Sequence, residues 1–335
     1  MQPFNHSRRV CLLVGLSVAV LTFSPLAPQN VAHAQAAWPS KAIRIIVPYG
    51  AGGMPDTLAR TVGEKISKYA GQPVVVENRP GAGGNIGAAA VATAEPDGHV
   101  LLMTNTGVLT ANPSLYPQMA FDPRSDFTPV SMVAEIPLVL VISPELPVKD
   151  VQALLGFGRG EPGKLTYASP GVGSSLHLAM ESLQQATGFS GRHIVYKSGP
   201  EAVLAVVTGQ VNAMFADLPL VLQQVRAGKL RALAVVGSTR LLQLSDVPTI
   251  EESDVRRFSA ASVFGLVAPS KTPKATIDKI SEMVARAVHE SDVEQRFAAV
   301  GVRLRGSSPA EFAAFIGSER QSSEVLIRTA NIKLQ

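Results

Sequence analysis

Cysteine is almost absent: the 335 residues hold one, Cys11. That excludes an intramolecular disulfide framework and any multi-cysteine zinc or iron–sulfur site. Aromatic residues make up 5% with a single tryptophan, and no basic tract is interleaved with them. Lysines and arginines are scattered, as in Arg256-Arg257 beside Glu251, Glu252 and Asp254. The formal charge of +4 therefore does not describe a nucleic-acid surface, and no nucleic-acid partner is expected. Histidines number six, none in an HExxH pattern. His177 and Glu181 stand at i,i+4, but that spacing alone does not make a metal site, and no metal or cofactor is expected. Low-complexity repeats are missing, and 46% of residues are hydrophobic, so the chain carries enough apolar material for a substantial core.

The one long apolar run is 10–23, directly after Arg8-Arg9. It is short for a membrane span and close to the terminus. Ser24-Pro25, Pro28 and the small-residue site Ala32-His33-Ala34 follow. This order reads as a secretory signal peptide over 1–34, cleaved after Ala34, which places the protein in the periplasm. Ser7-Arg8-Arg9 with Leu12-Leu13 loosely resembles a twin-arginine signal, and general secretion is equally open. Removing 34 of the 335 residues leaves 301, takes away Cys11, and lowers the net charge from +4 to about +2.

The remainder alternates β-branched runs with helical periodicities and reads as α/β. Strands are expected at 42–48, 73–77, 99–104, 137–143, 164–168, 193–196, 211–215 and 230–236. Helices are expected from 55 to Gly71, over 86–94, 174–186, 200–208, 218–227 and 274–290. Leu58, Val62, Ile66 and Tyr69 form the stripe of the first. Ser308-Pro309-Ala310-Glu311 is a capping box opening a last helix. Two extended segments, 130–142 and 259–268, flank the middle block. As crossovers they give domain 1 at 35–136 plus 262–335, domain 2 at 137–261, and a cleft between two hinged lobes.

Several loops carry chemistry. Tyr49-Gly50-Ala51-Gly52-Gly53-Met54-Pro55-Asp56 joins a strand to a helix N-terminus. It is an anion site built on backbone N–H groups or an ordinary tight turn. Glu77–Gly87 holds glycines at 81, 83 and 87, a GxGxxxG and not the GxGxxG of dinucleotide folds. Gly171-Val172-Gly173-Ser174-Ser175 feeds another helix; one serine would cap it, and the loop could grip a second anionic end. A nucleophile at Ser174 with His177 as base lacks a G-x-S-x-G elbow and an orienting acid. Asn105 and Thr106 end a strand, where open α/β sheets face their ligand crevice. Asp217 could receive a ligand amino or hydroxyl group, or cap the next helix.

Taken in order, Ala37-Trp38-Pro39, 46–56, 77–87, Asn112-Pro113-Ser114-Leu115-Tyr116, 167–177, 196–199, 209–215, 228–234, Asp246-Val247-Pro248-Thr249 and 265–273 resemble one family. It comprises the substrate-binding receptors of tripartite tricarboxylate transporters, the Bug receptors. The resemblance implies a two-lobed periplasmic binding protein fold of type 2, a Venus flytrap closing on a small carboxylate, monomeric and not an enzyme. It implies a large and a small integral-membrane subunit as partners. It implies that the loop with Tyr49, Ala51, Gly52, Gly53 and Asp56 holds one carboxylate through main-chain groups and water. Asn105, Thr106, Gly173, Ser174 and Ser175 would form the remaining walls, and Asp217 would meet the distal end. Val108-Leu109 stands where relatives are often polar, which suggests a more apolar ligand body. The alternative function is an exported α/β oxidoreductase or hydrolase acting on a small carboxylate.

Overall fold

The computed structural model describes residues 38–160, 163–256, 258 and 260–333, so the expected signal peptide at 1–34 lies outside the described residues. The chain runs β1 (Ile43–Val47), α1 (Met54–Ala70), β2 (Val74–Asn78), α2 (Asn85–Ala92) and β3 (Val100–Asn105). Two short turns of helix, α3 (Gly107–Thr110) and α4 (Asn112–Leu115), lead to β4 (Phe127–Ile136) and β5 (Leu138–Ile142). Then come α5 (Val151–Gly160), β6 (Thr166–Ser169), α6 (Ser175–Thr187), β7 (Arg192–Val195), α7 (Gly199–Val207), β8 (Ala213–Asp217), α8 (Leu218–Arg226) and β9 (Arg231–Val235). The chain closes with β10 (Ser262–Pro269), α9 (Lys274–Val288), α10 (Ser291–Ala298), β11 (Arg303–Leu304) and α11 (Pro309–Thr329).

These strands build two sheets. One has the order β11-β4-β10-β3-β1-β2, with β2, β1 and β3 parallel and β10 running antiparallel between β3 and β4. The other has the order β7-β6-β8-β5-β9, with β5 antiparallel to β8 and β9. The strand cores are continuous apolar runs because helices cover both faces: all five residues of β5 and all eight of β10 are buried. Each sheet carries its own hydrophobic core, one around Ile45, Leu101 and Leu266, the other around Leu140, Phe215 and Leu183. The molecule is a two-lobed α/β protein. No helix among the described residues is long and apolar enough to cross a membrane.

Local signals explain most ends. Gly71 closes α1 in the left-handed region at φ 66°, and its N–H returns to Ser67 O. Gly188 does the same for α6 at φ 70°. Both halves of the Ser308/Glu311 capping box form at the start of α11. The extended run expected over 130–142 is divided: Pro137 separates β4 in the first sheet from β5 in the second, because a proline cannot donate to a continuing ladder. Helix α5 has no expected counterpart. Its three glycines lower helix propensity, and buried Val151, Leu154 and Leu155 compensate by packing on the second core.

Candidate functional site

A small cavity of about 30 Å³, open at its mouth, lies between the lobes. The first lobe supplies Tyr49, Gly53, Met54 and Pro55 from the β1–α1 connection, and Asn105 from the end of β3. The returning strand β10 supplies Ser262 and Phe264. The second lobe supplies Pro170, Ser175 and Leu176 around the start of α6, Gly199 at the start of α7, and Asp217 and Leu220 at the start of α8. Strand C-termini and helix N-termini thus converge on one space, as in open α/β sheets generally.

The helix starts differ in how their free N–H groups are used. In α1 the first helical bond runs from Thr57 N–H to Gly53 O at 3.0 Å, and Gly53 offers no side chain as a cap. The N–H groups of Gly53, Met54 and Asp56 therefore have no intrahelical acceptor, and Gly53 and Met54 line the cavity. In α6 Ser174 Oγ accepts from His177 N–H at 3.3 Å, and in α7 Ser198 Oγ accepts from Glu201 N–H at 3.3 Å. In α8 Asp217 stands at the N-cap and makes no side-chain cap bond. No lysine, arginine or histidine lines the cavity. The positive potential in it comes from helix ends, each equivalent to roughly half a charge.

Of the residues singled out in the sequence, Tyr49, Gly53, Asn105, Ser175 and Asp217 meet in this cavity. The others stand behind or beside it. Ala51 and Gly52 are exposed in the turn. Gly52 adopts φ +81° and its N–H donates to Asp56 Oδ2 at 3.0 Å. The Asp56 carboxylate also pairs with Arg60, at 2.9 Å from Nη2. Burial pushes the Asp56 carboxyl up, but Arg60, the Gly52 N–H and Asn78 together outweigh burial and hold it below the usual range. Asp56 thus shapes the loop from within. Thr106 donates its N–H to Val263 O at 3.0 Å and lines a separate groove with Glu135 and Glu319. Ser174 is the capping serine and donates to Gly171 O at 2.8 Å. Ser175 is left free to pair with Ser262 Oγ at 2.8 Å across the lobes.

Gly173 N–H donates to His177 Nδ1 at 3.2 Å, so the ring supports the loop from behind. His177 stacks on His193 with centroids 4.2 Å apart, and His193 on Tyr167 at 4.8 Å. His193 Nε2 lies 2.7 Å from Ser169 Oγ. Burial, with the neighbouring imidazole, pushes His177 down to about 3; burial pushes His193 down to about 4. Both rings are neutral at pH 7. The Ser174 hydroxyl bonds to a carbonyl and not to the His177 ring, so the two form no nucleophile–base pair. The expected apolar hint from Val108-Leu109 is also redirected. Both side chains are buried in the first core, and the apolar wall is made by Leu176, Leu220 and Phe264.

Met54, Pro55, Pro170, Leu176, Gly199, Leu220, Ser262 and Phe264 line the cavity without having been singled out. Ser262 and Phe264 carried a signal: they belong to the segment read as a crossover, and a strand passing between lobes runs along the cleft floor. The apolar members resemble any core residue in sequence.

Among the described residues eight buried side-chain polar atoms lack a well-formed hydrogen bond, and three belong to residues lining the cavity: Asp217 Oδ1, and Tyr49 OH and Asn105 Oδ1, which lie close to each other. An unmet buried polar group costs about 1–3 kcal/mol, and native proteins keep few of them outside functional sites. Burial raises the Tyr49 hydroxyl and pushes the Asp217 carboxyl up to about 7, with the Ser262 hydroxyl opposing the second shift. The lobes touch around the cavity. Gly50 N–H donates to Lys197 O at 3.2 Å, Gln243 Nε2 to Ala298 O at 3.0 Å, and Leu220 packs against both cores. Gly83, from the glycine-rich stretch after β2, packs under Tyr116 OH and under Val172 O of the facing lobe so closely that a side chain there would clash.

Comparison with known proteins places this geometry among relatives. Residues 58–332 match the model of the tripartite tricarboxylate transporter family receptor. The chain is 35% identical over 299 residues to the protein BugT of Bordetella pertussis, covering 89% of this chain and 92% of that protein. A solved R. palustris protein with adipate superposes with TM-score 0.84 at 31% identity, over 88% of this chain and 99% of that one. MatC from Rhodopseudomonas palustris with bound malate gives 0.83 at 30% identity, over 86% and 99%.

Proposed function

The chain belongs to the tripartite tricarboxylate transporter receptor family, and from that membership we propose that it captures a small carboxylate between its lobes and delivers it to integral-membrane transporter subunits. Members of the family are substrate-binding receptors, and the relatives with adipate and malate supply the ligand class. In this reading the protein acts as a periplasmic monomer after loss of residues 1–34. It turns nothing over, and its lobes are 35–136 plus 262–335 and 137–261.

One observation carries the reading. Gly53 and Met54, whose N–H groups at the start of α1 have no helical acceptor, line a cavity with no basic side chain. Such donors suit a carboxylate, which accepts from several N–H groups at a helix N-terminus. Closure around the ligand then follows from binding the closed state more tightly than the open one.

The test uses protein purified through unfolding and refolding, which strips carried ligand. A panel including adipate, malate and shorter carboxylates is screened by thermal shift. A ligand at 100 times its Kd stabilises by about 2.7 kcal/mol, which a melting curve resolves. Stabilisation with the ligand recovered intact supports the receptor. Chemical conversion of a stabilising ligand, or no response to any carboxylate, overturns it.

A further inference from the structure

We infer that the ligand's far end carries a hydrogen-bond donor, an ammonium or hydroxyl group, which Asp217 receives. The inference rests on the carboxylate-receptor reading above and narrows it to carboxylates bearing an amino or hydroxyl group, as opposed to simple dicarboxylates.

Asp217 ends β8 at the N-cap of α8, where an aspartate ordinarily bonds the N–H groups of the first turn. Here the side chain makes no such bond. The residue is 4% exposed, and its Oδ1 is buried without any partner although it lines the cavity. Its polar neighbour is Ser262, whose hydroxyl is already shared with Ser175. No lysine, arginine or histidine lines the space to neutralise it. Ser262 can serve one carboxylate oxygen while it accepts from Ser175, but Oδ1 is left without a donor, and the ligand is the group that can bring one.

The start of α1, on the same cavity, has the converse need. Gly53 and Met54 present N–H groups with nothing to accept them. The wall therefore asks for an acceptor at α1 and a donor at α8, and Leu176, Leu220 and Phe264 line the same space. A ligand with a carboxylate at both ends satisfies the first, but its second carboxylate can be met only if Asp217 takes up a proton. A carboxylate with an amino or hydroxyl group at the other end satisfies both. Burial holds Asp217 up to about 7 when it stands alone, and an arriving ammonium would favour its ionised form.

Matched probes decide between these. Calorimetry on stripped protein at pH 7.5 compares 6-aminohexanoate, 6-hydroxyhexanoate, hexanoate and adipate, and the four-carbon set 4-aminobutyrate, 4-hydroxybutyrate, butyrate and succinate. In at least one set the amino or hydroxy acid should bind roughly tenfold or more tightly than its matched dicarboxylate and monocarboxylate. The amino and hydroxy arms identify which donor the site takes. In D217N, shown to be folded by circular dichroism, the advantage should collapse to within roughly threefold. Dicarboxylates binding as tightly as the donor-bearing acids in both sets, or a preference that survives in folded D217N, overturns the inference and leaves the receptor reading standing. No binding by any of the eight acids overturns both.

Discussion

Gly107 and Gly173 face each other from opposite lobes so closely that a methyl group on Gly107 would lie 2.3 Å from the Gly173 carbonyl oxygen. Gly107 opens α3 directly after Asn105 and Thr106, and Gly173 belongs to the loop that leads into α6. The approach of the two lobes beside the cavity depends on both residues lacking a side chain.

Gly107→Ala should therefore obstruct closure. The ligand-free protein should lose about 1 kcal/mol or less, since the lobes can part to relieve the contact. Affinity for a carboxylate ligand should fall roughly tenfold or more. Small-angle scattering at ligand saturation should give a larger radius of gyration than wild type. Unchanged affinity and unchanged compaction would contradict this role.

Gly53 has φ −76°, the value a proline ring imposes, so Gly53→Pro deletes one N–H at the cavity with little backbone strain. Gly53→Ala keeps that N–H, and its Cβ would meet only ordinary contacts, the nearest being Pro55 Cδ at 3.6 Å. The proline variant should bind carboxylate roughly tenfold more weakly, and the alanine variant within roughly threefold of wild type. Titration calorimetry of both distinguishes loss of a donor from simple crowding.

Asp217 is raised from 3.8 to about 7 in the ligand-free fold. Between those values the folded chain holds a proton that the unfolded chain has released, so this group lowers stability as pH rises. Its full effect is on the order of 4 kcal/mol. Asp217→Asn removes it. Relative to wild type, the variant should gain stability steadily from about pH 4 to about pH 7 and then level off. Urea midpoints across that range provide the measurement, and a pH-independent difference would refute the assignment.

His177 and His193 act in the opposite direction. Burial holds them down to about 3 and about 4, below the ordinary 6.5. The unfolded chain then takes up protons that the folded one refuses, and stability should fall as pH drops from about 6.5 towards 4. A His177→Gln, His193→Gln protein should show a flatter acid limb in the same urea series, whatever its stability at pH 7. An equally steep limb would place the acid sensitivity elsewhere.

Much of the fold was legible because its signals are local. The stripe Leu58, Val62, Ile66 and Tyr69 with Gly71 marks α1, and the Ser308/Glu311 pair marks the start of α11. The division at Pro137 was half legible: a strand and a lobe were expected to begin at 137, but 130–142 also read as one extended crossover, and only the fold shows the chain changing sheets there. The site was half legible for a related reason. Glycines in a loop announce an unusual backbone but not its purpose: Gly53 meets the cavity, Gly52 turns its N–H onto Asp56, and Gly173 makes room for the other lobe. Ser262 and Phe264 reach the cavity from far along the chain: the crossover reading of 259–268 marked the segment, and the tertiary fold selects which of its residues line the space.

The position of β10 between β3 and β4 also sets an order of assembly. The second sheet uses strands from residues 138 to 235 without interruption, so every strand it needs has emerged once β9 is made. The first sheet cannot join β3 to β4 until residues 262–269 arrive, because those two strands never pair with each other. Strands β1, β2 and β3 can pair with one another early, but the edge of β3 and the whole of β4 wait for a segment made late. An unfinished chain cut before residue 262 would hold one lobe able to complete its sheet and another that could not.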